Sequence, residues 1–242
     1  YEIPKIEDLN SVRKNSLFSG AIWIGGEDLG GNLRLAAMTY RQRGSDFWPG
    51  PLDPVTANTS SSECEKWDKI FKVDGKNIID WASGLVAEPD EQLYNWPGQG
   101  VNDAFPLAPY KDVDGNGYYT PSGGDYPILR EQCQGINITN EAVDQPDQML
   151  WWIYNDKGNV HSESQGEPIG MEIRSQTFQF STNDEVNNMT FHNYVLINQG
   201  TQTLGDTYFG VWVDADVGTA TDDYVGCDVQ RGLGYAYNGD AY

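Results

Sequence analysis

The sequence predicts a mainly β fold, an antiparallel β-sandwich or jelly roll that carries a short helical insertion and long irregular loops. Apolar residues alternate with polar residues along several stretches, as they do in half-buried strands. Aromatic residues, which pack well on pleated sheets, make up 12% of the chain. The 27 glycines and 12 prolines favour turns over long helices.

The length of the chain, 242 residues, suffices for a proper hydrophobic core. We predict one β-rich domain over residues 1–242. Because the chain starts at Tyr1, with neither an initiator methionine nor a signal peptide, we interpret it as a fragment of a longer protein.

The first predicted element is a hairpin over residues 17–40. The segment LFSGAIWIG alternates, the glycine pairs at 25–26 and 30–31 supply turn residues, and LRLAAMTY forms the returning strand. The next segment is rich in proline. Because proline cannot donate a hydrogen bond to a neighbouring strand, we predict an extended loop there.

A helical insertion is predicted over residues 60–90. Ser62 and Glu65 have the spacing of a capping box. A second helix is predicted to begin at Asp74. The apolar residues that recur at helical spacing are Cys64, Trp67, Ile70 and Phe71 in the first helix and Ile78, Trp81, Ala82 and Leu85 in the second.

The second half of the chain returns to strands. A strand is predicted over 150–154, and a change of parity between Ile173 and Phe178 indicates a bulge at 175–177. Alternation then runs from Met189 to Ile197. Residues 207–213 are apolar on both faces, so we expect a buried central strand there.

The irregular region 110–127 contains a calcium-type loop, DVDGNGY. Asp112, Asp114, Asn116 and the Tyr118 carbonyl occupy positions 1, 3, 5 and 7 of the first half of an EF-hand loop, with glycine at position 6. Position 12 is glycine instead of glutamate, and we predict that Asp125 takes its role. The alternative interpretation is a solvated turn that binds no ion.

A second cation site is predicted after the apolar stretch 207–213. Mutual repulsion among clustered carboxylates favours a bound cation, and calcium accepts six to eight oxygen ligands with loose geometry. The alternative is a solvated acidic loop. The predicted ligands are Asp214, Asp216, Asp222, Asp223 and Asp228.

The charge of the chain limits its partners. Its 15 basic and 36 acidic residues give a net charge of -21, which opposes binding to phosphate backbones and to anionic lipid. No apolar run reaches the ~20 residues of a membrane helix. Cys64, Cys133 and Cys227 allow either one disulfide with one free thiol or three buried thiols.

Two other classes of function stay open at the sequence level. A carbohydrate-binding module would present Trp48, Trp96, Trp151 or Trp152 as an exposed stacking face. A glycoside hydrolase would use a pair among Glu163, Glu167 and Glu172. No catalytic residue is predicted, because strand parity brings no specific pair of these carboxylates together and no nucleophile motif is present.

Long strings of this sequence resemble a family of large secreted Bacteroidota surface proteins that typically end in a type IX secretion sorting domain. The resemblance implies export across the outer membrane to the cell surface or medium, and its acidic motifs include both predicted calcium sites. The family offers no activity that could be carried over to this chain. The strings are SLFSGAIWIGG, TYRQRGSDFWPGPLD, PYKDVDGNGYYTPSGGDYP, LWWIYNDKGNVH, IGMEIRSQTFQFSTNDEVNNMTF and DADVGTATDDYVGCDVQRGLGYAYNGD.

These observations together predict an extracellular, calcium-stabilised β module with a structural, adhesive or filament-forming role. Its expected partners are further copies of itself, other surface proteins or a polysaccharide, and neither nucleic acid nor a membrane interior.

Overall fold

A computed structural model of the chain describes residues 6–7, 13–14, 16–40, 42–99, 107–130, 142–218 and 221–239. It confirms the predicted fold class, because antiparallel strands dominate and the helices are short. The helices are α1 (Ser61–Trp67), α2 (Gly75–Ala82) and α3 (Glu91–Asn95). The strands are β1 (Ile6–Glu7), β2 (Arg13–Lys14), β3 (Leu17–Asp28), β4 (Leu33–Ala36), β5 (Trp48–Pro49), β6 (Phe71–Asp74), β7 (Tyr110–Lys111), β8 (Tyr126–Pro127), β9 (Gln148–Asn155), β10 (Met171–Gln179), β11 (Phe191–Asn198), β12 (Leu204–Ala215), β13 (Asp223–Asp228) and β14 (Leu233–Asn238).

The chain divides into two compact units that interleave along the sequence. Unit 1 comprises Tyr1–Phe47, Asn159–Ile169 and Gln202–Tyr242, and unit 2 comprises Trp48–Gly158 and Gly170–Thr201. Each unit contains its own antiparallel sheet. The single domain over 1–242 stays a prediction.

Unit 2 is built on a five-stranded sheet in the order β11-β10-β9-β5, with β6 also paired to β9. The buried central strand of the molecule is β10, which is buried on both faces. It pairs without a register shift from Met171↔Asn198 to Phe178↔Phe191, so the predicted bulge at 175–177 is wrong. The prediction assumed that only apolar residues mark a buried face of the strand. It failed because the polar residues Ser175, Gln176 and Thr177 are buried as well.

The helical insertion lies in unit 2 and is more broken than predicted. The N-cap of α1 is Ser60 instead of Ser62, and its hydroxyl accepts a hydrogen bond from the Glu63 N–H at 3.3 Å. Phe71 was predicted to be helical but lies in β6, where it pairs with Trp151 of β9. Tertiary pairing overrides helical spacing here. The second helix follows its Asp74 N-cap as predicted.

Unit 1 contains the predicted hairpin as β3 and β4, in the sheet order β12-β3-β4. Strand β3 continues through Gly25 and Gly26, where the sequence had predicted a turn. An added Cβ at Gly26 would lie 3.0 Å from the Gly205 carbonyl oxygen, so these glycines permit close strand packing. The turn itself begins after Asp28, whose carboxylate accepts the Gly30 N–H at 2.9 Å.

Strand β12 corrects the prediction of a buried central strand over 207–213. It pairs with β3 alone among the described strands. Phe209 is 56% exposed and Val211 is 73% exposed, while their strand partners on β3, Ile24 and Ile22, are buried. Apolar character on both faces therefore marks an edge strand here.

Candidate metal centre

The loop 112–125 is closed at its base by two short strands of unit 2. Strands β7 and β8 pair antiparallel, with Tyr110 opposite Pro127 and Lys111 opposite Tyr126. Asp112 directly follows β7, and Asp125 directly precedes β8. Pairing of the strands therefore brings together two aspartates that are 13 residues apart in the sequence.

The turns of the loop need glycine at two positions. Gly115 has φ 73° and Gly117 has φ 80°, the left-handed region that glycine adopts without strain. Their N–H groups donate to the two oxygens of Asp112, each at 2.8 Å. The Gly117 N–H contributes most to holding the pKa of Asp112 below its usual value.

Gly123 occupies the position where an EF-hand loop has its bidentate glutamate. An added Cβ there would lie 2.5 Å from Oδ2 of Asp114 and 2.9 Å from Oγ1 of Thr120. A side chain at residue 123 would therefore collide with the acidic cluster, so this position does not contribute a carboxylate to it.

Asp125, the replacement that the sequence predicts, lies in the same cluster as Asp112 and Asp114. Its side chain is fully buried. Oδ1 accepts the Val113 N–H at 2.8 Å, and Oδ2 accepts the Thr120 N–H at 2.8 Å. Two backbone donors fix the carboxylate, which leaves lone pairs on both oxygens.

One oxygen from each of Asp112, Asp114 and Asp125 lies within 4.8 Å of the other two. Asp125 is buried, Asp112 is partly buried and Asp114 is exposed. In the described part of the chain, no lysine or arginine forms an ion pair with any of the three. Three carboxylates that converge without a positive partner form a group that could hold a metal ion.

The other two predicted ligands of this site lie in the same loop. The Asn116 amide donates to Oδ2 of Asp114 at 2.8 Å, and its oxygen accepts the Tyr118 N–H at 2.7 Å. Asn116 therefore contacts the cluster through Asp114. The Tyr118 carbonyl stays a predicted ligand. The sequence missed Thr120, whose N–H binds Asp125, although the pattern Thr-Pro-Ser-Gly-Gly before Asp125 marks a tight turn.

The second predicted site lies in unit 1 and is less converged. Asp214 accepts a hydrogen bond from the Tyr40 hydroxyl. Burial raises the pKa of Asp216, and the nearby Asp214 and Asp223 carboxylates raise it further. The predicted bend is present, because Gly218 has φ 90° and the Val217 N–H donates to Asp223 at 2.9 Å.

Two buried carboxylate oxygens of this region, Oδ1 of Asp222 and Oδ1 of Asp223, have no hydrogen-bond partner within the described part of the chain. Asp228 lies at the far end of β13 from Asp223, roughly 17 Å away at the rise of a strand, and it pairs with Arg231. Among the described residues, no three of the five aspartates bring ligand atoms within 4.8 Å of one another. The structure therefore does not gather these five residues into one site.

Several tryptophans and glutamates that the alternative functions would need are held in the fold by packing or by hydrogen bonds. Trp96 and Trp151 are buried in the core of unit 2, so these two indoles present no stacking face. Glu172 is buried and accepts hydrogen bonds from the Leu52 N–H and from Arg174. Glu163 accepts the N–H and hydroxyl of Thr39.

The cysteines are free where the structure describes them. Cys64 is buried and Cys227 is exposed. The option of three buried thiols is therefore wrong. Cys133 lies outside the described residues.

No family model, curated protein or solved structure matches this chain. Among the described helices, none combines the length and apolar character needed to cross a bilayer.

Proposed function

We propose that this protein is an extracellular, calcium-stabilised β module with a structural, adhesive or filament-forming role and no catalytic activity. The observation that carries the proposal is the convergence of Asp112, Asp114 and Asp125 in a loop closed by paired strands. The net charge of -21 supports it, since a strongly acidic chain benefits from bound cations.

Calcium fits the ligands of this loop better than the other common metals. All of them are oxygens: three carboxylates, the Asn116 amide and the Tyr118 carbonyl. Zinc prefers nitrogen and sulfur ligands, and magnesium demands near-ideal octahedral geometry and usually retains several waters. Calcium tolerates irregular sets of six to eight oxygens.

The role we assign to the ion is to hold the loop closed. An ion that binds only the native state stabilises it by about 2.7 kcal/mol when its concentration is 100 times the dissociation constant. Calcium sites of extracellular modules bind with dissociation constants on the order of 0.1–1 mM. A partly exposed site of this kind would therefore be filled outside the cell and empty in the cytosol, which supports an extracellular role.

The surface of unit 1 supports a role in assembly. Strand β12 has one edge that no described strand covers, and Tyr208, Phe209, Val211 and Val213 along it are 49–75% exposed. Exposed apolar edge strands are a common means by which proteins add strands from a partner.

The test of this proposal is thermal unfolding of the chain in calcium and in chelator. We expect calcium to raise the melting temperature by several degrees, and Asp112→Asn to abolish most of that increase. Asp184→Asn is the matched control, because Asp184 also accepts a backbone N–H in a turn but lies outside the cluster. Equal melting temperatures in calcium and chelator, with no metal in the purified chain, would refute the calcium site.

A further inference from the structure

Arg130 is a partly buried cation that has no counter-charge among the residues that the structure describes. Its guanidinium has no hydrogen bond and no ion pair with any group in the described part of the chain. Burial lowers its pKa, and the nearby Arg174 guanidinium lowers it further. Arg174 has a partner of its own, because it binds Glu172 at 2.7 Å. An unpaired buried charge is costly, and it is unexpected in a chain with 36 acidic residues.

The backbone that carries Arg130 is firmly held. The Arg130 N–H donates to Oε1 of Gln176 at 3.0 Å, and the amide nitrogen of Gln176 donates to the Ile128 carbonyl at 2.9 Å. Gln176 is buried on the central strand β10. The Pro109 carbonyl accepts the Ile128 N–H and the Trp96 indole N–H. Arg130 is therefore fixed by the rigid sheet of unit 2.

Arg130 lines a cavity of about 170 Å³ together with Leu107, Ala108, Pro109 and Tyr110. The volume exceeds the roughly 30 Å³ that one water molecule occupies in the liquid. Tyr110 also lines the cavity, and its phenol carries an O–H donor. The cavity thus has donors from Arg130 and Tyr110 and an apolar wall from the other three residues.

From this arrangement we propose that the Arg130 cavity binds a small aliphatic carboxylate, with its two oxygens on the guanidinium and its carbon chain against Leu107, Ala108 and Pro109. A planar guanidinium matches a carboxylate through two parallel hydrogen bonds. Phosphate and sulfate carry oxygens on every side, and some of them would face the apolar wall without a donor. A carboxylate has oxygens on one end and carbon on the other, as the cavity requires.

Propionate is the probe that tests this proposal, and propionamide is its neutral isostere. In a nuclear magnetic resonance titration of the ¹⁵N-labelled chain, we expect the Arg130 Nε and Ala108 N–H signals to shift and saturate. The expected dissociation constant is on the order of 1 mM, as suits a ligand of few atoms. Propionamide and inorganic phosphate are expected to bind at least about tenfold more weakly.

Substitutions give the second half of the test. Arg130→Met should weaken propionate binding at least about tenfold, and Arg130→Lys should weaken it less, since lysine keeps the charge without the planar fork. Arg231→Met is the matched control, because Arg231 is an exposed arginine that already pairs with Asp228, and it should leave binding unchanged. Tyr110→Phe provides a test that retains the arginine, and it should also weaken binding.

Three results would overturn the carboxylate site: propionamide binding as well as propionate, phosphate binding as well as propionate, or undiminished binding to Arg130→Met. The calcium-dependent rise in melting temperature should persist in Arg130→Met, because Arg130 lies outside the loop 112–125. The carboxylate site and the calcium site can therefore fail independently.

Discussion

The loop 112–125 of unit 2 and the segment 214–228 of unit 1 are both rich in aspartate, but their carboxylates are arranged differently. In the loop, three carboxylates converge within 4.8 Å, and backbone N–H groups hold Asp112 and Asp125. In the segment, Asp214 binds Tyr40 and Asp228 binds Arg231, while Oδ1 of Asp222 and Oδ1 of Asp223 have no hydrogen-bond partner among the described residues.

The difference between the two regions comes from how each is closed. Strands β7 and β8 pair at the base of the loop, so its first and last aspartates must meet. In the segment, Asp223 and Asp228 begin and end a single strand, which holds them apart. A high density of carboxylates in a sequence therefore does not by itself bring their oxygens together; the pairing of the flanking strands does.

The largest expected effect is from removal of the buried Asp125 carboxylate. Asp125→Ala leaves the partly buried Val113 and Thr120 N–H groups without their acceptor, at a cost of about 1–3 kcal/mol for each donor that stays unsatisfied. We expect urea unfolding in chelator to show a loss of about 3 kcal/mol, with a further loss in calcium. Asp228→Ala in the other region removes an exposed ion pair with Arg231 and an exposed hydrogen bond from the Arg231 N–H, and it should cost at most about 1 kcal/mol. Similar losses for the two variants would remove the distinction between the regions.

The sequence predicted the elements whose signals are local. The turn-rich motif at 112–118, the start of α2 at Asp74 and the β3–β4 hairpin were recognised because turn residues and helix-start signals act on their immediate neighbours. Asp125 was also predicted to join Asp112 and Asp114, and the three carboxylates do lie together. What the sequence did not supply was the partner of each strand, and Phe71 therefore looked helical until its pairing with Trp151 was known.

Burial was the property that local patterns predicted least well. Strand β12 is apolar on both faces yet exposed, whereas β10 carries Ser175, Gln176 and Thr177 and is buried. The difference lies in the sheets: β10 has a strand on each side, while β12 has β3 on one side alone among the described strands. Arg130 was missed because the sequence does not show which residues surround it. Its burial, and the lack of a counter-charge among the described residues, are visible only in the structure.

An intermediate effect is expected at Gly123, where the sequence departs from an EF-hand loop. In Gly123→Ala the new Cβ would lie 2.5 Å from Oδ2 of Asp114, which is too close for a non-bonded contact. It should therefore push that carboxylate out of the cluster. We expect calcium affinity, measured by calorimetry, to fall about tenfold, which corresponds to about 1.4 kcal/mol. Gly234→Ala is the matched control, because an added Cβ there contacts nothing within 4 Å. Unchanged affinity in Gly123→Ala would mean that Asp114 does not bind the ion.

The smallest expected effect is the pH dependence of the two regions, which should have opposite signs. The pKa of Asp112 is lowered in the folded chain, above all by the Gly117 N–H, so its contribution to stability is present above the unfolded pKa of about 3.9 and is lost as the pH falls through the folded value. The pKa of Asp216 is raised, mainly by burial and then by Asp214 and Asp223, so its ionisation above the unfolded pKa destabilises the fold.

In chelator at pH 7, Asp112→Asn should therefore lower the urea midpoint of unfolding, and Asp216→Asn should raise it slightly. Both differences should fade towards pH 3. If Asp216→Asn instead destabilises the chain at pH 7 in chelator, the Asp216 carboxylate makes a favourable contact that outweighs the repulsion from Asp214 and Asp223. The two regions would then differ less than their geometry indicates.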